Sequence, residues 1–220
     1  MTTIKLFYYK ATGRGNQIRL AFSAGNVPFV DEYPSGFPPT KAEKEAWQKL
    51  GGNTTTNIPM LQIDDKYYSQ SSAVLRVAAR KANIMPTDEE EVYIADKIIA
   101  DAEDLRTEAY KSFVVWGAPQ EAADAFISKV FPSHAGNLER QLKEAGTDFF
   151  IGNTLTVADI AAYDAVVNFG TNRIPGDALE KFQMLQKWVE RVEATPGIAK
   201  YLSSSEYAGL AKFSAETLGY

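Results

Sequence analysis

The chain contains no cysteine and a single histidine, His134. The missing thiols exclude a disulfide framework, a cysteine metal site, a Cys-x-x-Cys redox pair and any reaction that uses a thiol of the chain itself. One histidine leaves no His-rich metal cluster and only one candidate for a Ser-His-Asp arrangement. Phe131-Pro132-Ser133 precede it and read as a helix start, which makes His134 a surface residue of a first helical turn. Long apolar runs are missing too. None reaches the roughly 18 residues of a membrane helix, and the first residues read as a strand without a signal-peptide pattern. Basic excess is absent: 23 Lys and Arg stand against 28 Asp and Glu, a net charge of -5, with the two signs interspersed. The electrostatic footprint of a nucleic-acid binder is therefore missing. What remains is a 220-residue chain with 45% hydrophobic residues, long enough for two small cores and expected to be cytoplasmic.

Hydrophobic periodicity changes along the chain. Ile4, Leu6 and Tyr8 alternate with Lys5, Phe7 and Tyr9 as a first strand. A helix is expected over 16–24, a parallel strand over 29–32 and a charged helix carrying Trp47 over 41–50. Ile58 to Ile63, Asp64-Asp65 and Lys66-Tyr67-Tyr68 form a hairpin pattern, and Ser71 to Lys81 a further helix. Residues 83–89 read as a linker, so the domains are expected at 1–82 and 90–220. Beyond the linker the pattern is helical. Ala95, Ile98, Ala102, Leu105, Ala109 and Phe113 recur at steps of three or four along one long helix. Further helices are expected over 120–130 and 135–144. Thr156 and Asp159 stand as N-cap and reciprocal capping-box residue of another, a folding device.

Four features point to a ligand. Gln70-Ser71 open a helix, where unpaired backbone N–H groups and a serine hydroxyl suit a carboxylate. Ile58-Pro59 lie eleven residues upstream, and Tyr8 and Gly13-Arg14 stand near the amino terminus. Together they read as a glutathione site. The residues that carry this pattern, Leu6 to Tyr9, Gly13-Arg14, Ile18-Arg19, Asn57-Ile58-Pro59, Thr156 to Ile160 and Ala194 to Leu202, resemble the cytosolic glutathione transferases, in particular the sigma class. The resemblance covers nearly the whole chain. It implies a thioredoxin-like α/β amino-terminal domain, an all-α carboxy-terminal domain and a homodimer.

The resemblance also implies roles. Tyr8 would be the catalytic tyrosine, donating a hydrogen bond that favours the thiolate of bound glutathione; an ordinary thiol has a pKa near ~8.5. Tyr9 is its rival, because adjacent strand side chains point to opposite faces; the Gly13-Arg14 spacing favours Tyr8. Ile58-Pro59 would be a cis bond, with Asn57 beside it, that offers the Ile58 backbone to the cysteinyl residue. Gln70 and Ser71 would hold the γ-glutamyl end. Trp47 and Lys49 would meet the glycine end, with Trp47 as a packing residue the alternative. Asp104, with Asp101 second, would reach the glutathione amino group from a partner subunit. Arg14 would stand at the electrophile mouth or bridge the domains. Phe7, Tyr9, Arg14, Tyr110, Phe113 and Val114 would line the electrophile pocket, made roomy by Ala161 and Ala165. Residues 206–220, with Tyr207, Leu210 and Phe213 at helical spacing, would form a lid or a plain terminal helix. The expected activity is thiol attack on small hydrophobic electrophiles by conjugation, with peroxide reduction compatible, glutathione as co-substrate and no metal. The alternatives are a glutathione-dependent isomerase of the prostaglandin D synthase type and a non-catalytic ligand-binding or structural member such as an S-crystallin.

Overall fold

A computed structural model describes residues 2–36, 38–54, 58–113 and 119–212. Its first unit is built on a four-stranded sheet in the order β2-β1-β3-β4, from β1 (Ile4–Phe7), β2 (Val30–Glu32), β3 (Met60–Ile63) and β4 (Lys66–Tyr68). β1 and β2 are parallel, as a strand–helix–strand crossover requires, with Leu6 opposite Asp31. β3 runs antiparallel to β1, and β4 antiparallel to β3. The hairpin turns at Asp64, which has φ 53° and accepts from the Thr3 N–H through its carboxylate. An aspartate tolerates this left-handed conformation better than most residues.

Helices α1 (Asn16–Ala24), α2 (Lys41–Gly51) and α3 (Ser71–Lys81) complete this unit's α/β part. Ile18, Leu20, Ala21 and Phe22 of α1 are buried, and α1 packs on α3, whose Val74, Leu75, Ala78 and Ala79 are buried. α2 begins with a capping box in which the Thr40 N–H donates to the Glu43 carboxylate at 2.8 Å.

Among the described residues, those up to Ile84 group with Gly197–Ala211, and those from Met85 to Pro196 form a second unit. The sequence reading put everything after residue 89 in the second domain. Residues 197–211 instead complete the first unit. Gly197 of α9 (Pro196–Leu202) lies so close to the Ser23 carbonyl that no Cβ would fit. The Tyr201 hydroxyl donates to Asn16 Oδ1 at 2.9 Å. The tail expected to be helical from Glu206 is so only over α10 (Ser205–Ala208), whose N-cap Ser204 side chain accepts from the Tyr207 N–H. It then extends, and Ala211 pairs in parallel with Ala11. Phe213 and the expected lid beyond it lie outside the described residues.

The second unit is helical: α4 (Glu89–Phe113), α5 (Gln120–Ala125), α6 (Phe131–Ala145), α7 (Val157–Asp164) and α8 (Gln183–Glu193). Asp88 Oδ1 caps α4 by accepting from the Glu90 and Glu91 N–H groups. The break expected at Phe131-Pro132-Ser133 does not occur. A π-turn over Phe126–Val130 links α5 to α6, and Pro132, which has no N–H, sits in the first turn of α6. His134 is half-buried there.

Two buried polar groups organise the unit. The Arg106 guanidinium of α4 donates to Asp164 Oδ2 at 3.1 Å and to the Ala161 carbonyl at 2.7 Å. Asp159 is the second. Its Oδ2 accepts from the Thr156 N–H at 2.8 Å, closing the expected capping box, and its Oδ1 accepts from the Phe150 N–H at 3.1 Å and Trp188 Nε1 at 3.0 Å. One carboxylate thus fixes α7, the turn before it and α8. Asp159→Ala leaves these donors buried without an acceptor, and is expected to cost on the order of 3 kcal/mol in urea unfolding of the purified protein. Asp159→Ala with an unshifted unfolding midpoint would contradict this reading.

Candidate functional site

The register of the sheet brings three of the sequence features to one edge. β1 leaves the sheet at Phe7, opposite Met60, where β3 begins, and opposite Glu32, where β2 ends. Tyr68, the last residue of β4, pairs with Leu61. Tyr8, Ile58-Pro59 and Gln70-Ser71 are therefore the residues at which β1, β3 and β4 meet the same rim. Such a rim, at the carboxyl end of β1, is where α/β sheets commonly hold ligands.

Tyr8 is 8% exposed. Its hydroxyl oxygen accepts from the Arg14 N–H at 2.8 Å, and no described acceptor takes its own proton. Burial pushes its pKa up to about 12, against the lowering pull of that hydrogen bond and of the Arg19 and Arg14 charges. At neutral pH the group is thus an uncharged donor, polarised by the hydrogen bond it accepts. Tyr9 is half-buried and meets the Tyr8 ring edge to face at a centroid distance of 5.4 Å.

The paired glycines around Arg14 explain themselves against this ring. Gly13 has φ +38°, and a Cβ there would lie 2.5 Å from the Tyr8 hydroxyl oxygen. A Cβ on Gly15 would overlap Cδ1 and Cγ of Tyr8. The turn Gly13–Gly15 is therefore a backbone cradle fitted to the ring. Gln17 Nε2 holds the Arg14 carbonyl at 3.3 Å from the other side of the turn.

Arg19 is fully buried on the apolar face of α1. Its Nε donates to both Asp31 oxygens at 3.0 Å, Nη1 to the Ala11 carbonyl at 2.8 Å and Nη2 to the Tyr9 carbonyl at 3.1 Å. The guanidinium carbon stands 5.8 Å from the centre of the Tyr8 ring. The sequence reading gave Arg19 no role. The signal was present as a charge among Ile18, Leu20, Ala21 and Phe22.

Ile58-Pro59 is cis, as the resemblance implied. Asn57 lies outside the described residues. Gln70 has φ 73° and ψ 108°, outside the ordinary regions for a side-chain-bearing residue, a conformation that costs on the order of 1–3 kcal/mol. It is exposed, half-buried Ser71 opens α3, and the Val74 N–H donates to the Gln70 carbonyl at 2.8 Å. The Ser69 hydroxyl donates to the Gly51 carbonyl at 3.3 Å and ties the end of α2 to this corner. On α2, Lys49 is exposed and Trp47 is buried.

In the second unit, Asp101 Oδ2 accepts from Asn137 Nδ2 at 3.3 Å and Gln141 Nε2 at 2.9 Å. Asp104 is exposed on the same helix. Tyr110 is 49% exposed. Phe113 is buried against Phe126 at 5.1 Å, and Val114 lies outside the described residues. Ala161 and Ala165, expected to widen a pocket, have no exposed surface; their small side chains let α4 approach α7 and the turn after it. They present nothing to a ligand in this structure. Among the described residues no three His, Cys, Asp or Glu side chains form a group that could hold a metal, and no helix is long and apolar enough to cross a membrane.

A Gly15→Ala chain is expected to lose about 1–3 kcal/mol through the overlap with the Tyr8 ring. In a Tyr8→Ala background the same substitution should cost much less, read as coupling in a double-mutant cycle of urea unfolding. Equal costs in both backgrounds would show that the ring does not dictate the glycine.

Comparison with known proteins finds glutathione S-transferases. The family model for the glutathione S-transferase C-terminal domain matches residues 103–205. A class-mu 28 kDa glutathione S-transferase isozyme of Schistosoma japonicum is 29% identical over 218 residues, covering 91% of this chain and 97% of the relative. Among solved structures, the Pi-class glutathione S-transferase of Onchocerca volvulus is 21% identical with a TM-score of 0.77, over 94% of this chain and 96% of that one. Prostaglandin synthase D of Nilaparvata lugens is 23% identical with a TM-score of 0.75, over 92% and 98%. The classes these names carry are mu and Pi, and the expected sigma class is not among them.

Proposed function

These likenesses show the glutathione transferase fold and support the chain's membership of the glutathione S-transferase family; on that footing we propose that the protein is a tyrosine-type, sigma-like glutathione transferase. Tyr8 donates its hydroxyl proton as a hydrogen bond to the sulfur of bound glutathione. The observation that carries this is the Tyr8 hydroxyl itself, held by the Arg14 N–H on its acceptor side while no described residue takes its proton. A sulfur anion completes that geometry. Because burial pushes the hydroxyl pKa up to about 12, the group is neutral at physiological pH, the tyrosine serves as a fixed dipole, and the thiol proton leaves to solvent. The thiolate then forms a C–S bond to the electrophilic carbon of a small hydrophobic substrate, and the displaced electron pair either leaves with a halide or moves through a conjugated π bond to an acceptor oxygen that takes a proton from solvent.

Gln70 and Ser71 bind the γ-glutamyl carboxylate at the start of α3. The strained backbone at Gln70 supports this reading, since such strain concentrates at ligand-holding positions. Ile58 supplies its backbone to the cysteinyl residue, and Lys49 meets the glycine carboxylate. Trp47, being buried, acts in the packing of α2. Phe7, Tyr9 and Arg14 border the electrophile. The isomerase reading uses the same activated thiol, and product identity in a glutathione-dependent turnover panel separates it from conjugation.

Tyr8→Phe should retain glutathione affinity and lose most turnover, because it removes the donor and almost no volume. The pH dependence has a definite sign. With Tyr8, kcat/KM rises as the bound thiol ionises and reaches its plateau below ~8.5, and no descending limb from Tyr8 appears at lower pH than about 11. In Tyr8→Phe the rising limb moves toward the free-thiol value. An unmoved limb would remove Tyr8 from the chemistry.

The reading includes a cytoplasmic homodimer in which exposed Asp104 reaches the partner's glutathione amino group. Asp101, already bound by Asn137 and Gln141, is less available for that contact. Asp104→Asn should weaken glutathione binding with the dimer intact, since a charge-assisted hydrogen bond becomes a neutral one. In heterodimers of Tyr8→Phe with Asp104→Asn chains, a contact made across the interface puts both defects in one site and leaves the other wild type. Sites that each carry one defect would instead place the contact within one chain.

A further inference from the structure

The segment between β1 and the glycine cradle is gripped from two sides, and only one grip comes from nearby sequence. The carbonyls of Tyr9 and Ala11 turn to the buried Arg19 guanidinium. The intervening groups turn the other way: the Lys10 carbonyl accepts from the Ala211 N–H at 3.0 Å, and the Thr12 N–H donates to the Ala211 carbonyl at 2.9 Å. Two residues after Thr12 comes Arg14, whose N–H meets the Tyr8 hydroxyl. The Thr12 carbonyl in turn accepts from the Asn16 N–H at 3.0 Å, so the turn is fixed at both ends.

The carboxy-terminal side of this pairing is itself firmly seated. Leu210 is buried at 5% exposure, whereas Ala211 is exposed. The observed contribution of Ala211 is the main-chain pair. α9 is anchored on α1 by Gly197 at the Ser23 carbonyl and by Tyr201 on Asn16. Tyr207 of α10 packs edge to face on Tyr201 at 5.2 Å. This arm thus delivers the N–H and carbonyl of one residue to the loop that carries the cradle.

We propose that Ala211 is a positioning residue for thiol activation: its two main-chain hydrogen bonds set the Lys10–Thr12 segment, and through it the Arg14 N–H that polarises the Tyr8 hydroxyl. The inference rests on the tyrosine reading of the site. It gives residues 210–211 a role in the strength of the thiolate hydrogen bond and none in holding glutathione, which the Gln70 corner carries. Releasing the pair slackens the donor geometry while the binding contacts stay in place.

Three chains test it, each titrated as its glutathione complex by the ultraviolet absorbance of the thiolate. Ala211→Pro removes the N–H and keeps the rest of the chain. A chain ending at Leu210 removes the pair, and a chain ending at Lys212 keeps it while losing only residues 213–220. Ala211→Pro and the Leu210-terminated chain are expected to raise the bound thiol pKa by about one unit, lowering kcat/KM about tenfold at neutral pH, with the KM for glutathione within about twofold of wild type. The Lys212-terminated chain should match wild type in thiol pKa. If Ala211→Pro does not fold, the comparison of the two shortened chains decides. Equal thiol pKa values in those two would overturn the inference, as would an Ala211→Pro complex that titrates like wild type. Tyr8→Phe is titrated beside them. If it leaves the thiol pKa unmoved, the tyrosine reading fails and takes this inference with it. If it raises the pKa while loss of the Ala211 pair does not, only the inference fails.

Discussion

A buried guanidinium holds the amino-terminal unit in working order. Arg19 lies at 0% exposure, where an isolated charge would be prohibitive, and it is tolerable because every arm finds an acceptor: a carboxylate at Asp31 and two main-chain carbonyls at Tyr9 and Ala11. The carboxylate ties α1 to β2. The carbonyls tie α1 to the chain leaving β1. A lysine has one ammonium and no fork, and could not serve all three directions at once. The same cation lies near the face of the Tyr8 ring, so structural and electrostatic roles share one group.

Around that pin the chemistry is assembled mostly from backbone. The ring of Tyr8 rests against two glycines, its hydroxyl meets an amide N–H, and the same rim carries the cis amide at Ile58-Pro59 and the start of α3. Backbone donors carry no ionisation of their own and lose little entropy when a ligand arrives, which suits the proposed role of this rim as an anion site. Glu43 shows the same economy elsewhere: amide and hydroxyl donors from Ser35 and Thr40 hold its exposed carboxyl down at about 2.

Much of this was legible in the sequence because it lay in local patterns. Ser71 to Lys81 and Asn16 to Ala24 matched their helices end to end, and the Thr156/Asp159 spacing gave the capping box. Residues whose roles depend on distant partners were less visible. Arg19 was a charge on an apolar face whose acceptors could not be read from α1. Ala211 looked like one more step of a helical tail, since periodicity records side chains and its role lies in main-chain pairing with residues 200 positions away. The π-turn before Pro132 was read as a break because a proline inside a pattern usually ends a helix; here the preceding turn widens to accommodate the missing N–H. Ala161 and Ala165 suggested open space by their size, but small residues can equally let two helices close on each other.

The joining of the chain's two ends has a consequence for biosynthesis. The hydroxyl of Tyr201 bonds to Asn16 across 185 residues of sequence, and Ala11 finds its partner only at Ala211. During translation the sheet and α1 emerge early, but the arm that completes their unit emerges after the helical unit. The sheet-bearing unit therefore remains unfinished during synthesis while the helical unit between its two parts can already fold. Contacts of such long sequence separation form late and slow the final step. The nascent protein should thus acquire its helical half before its sheet-bearing half, the reverse of their order in the chain.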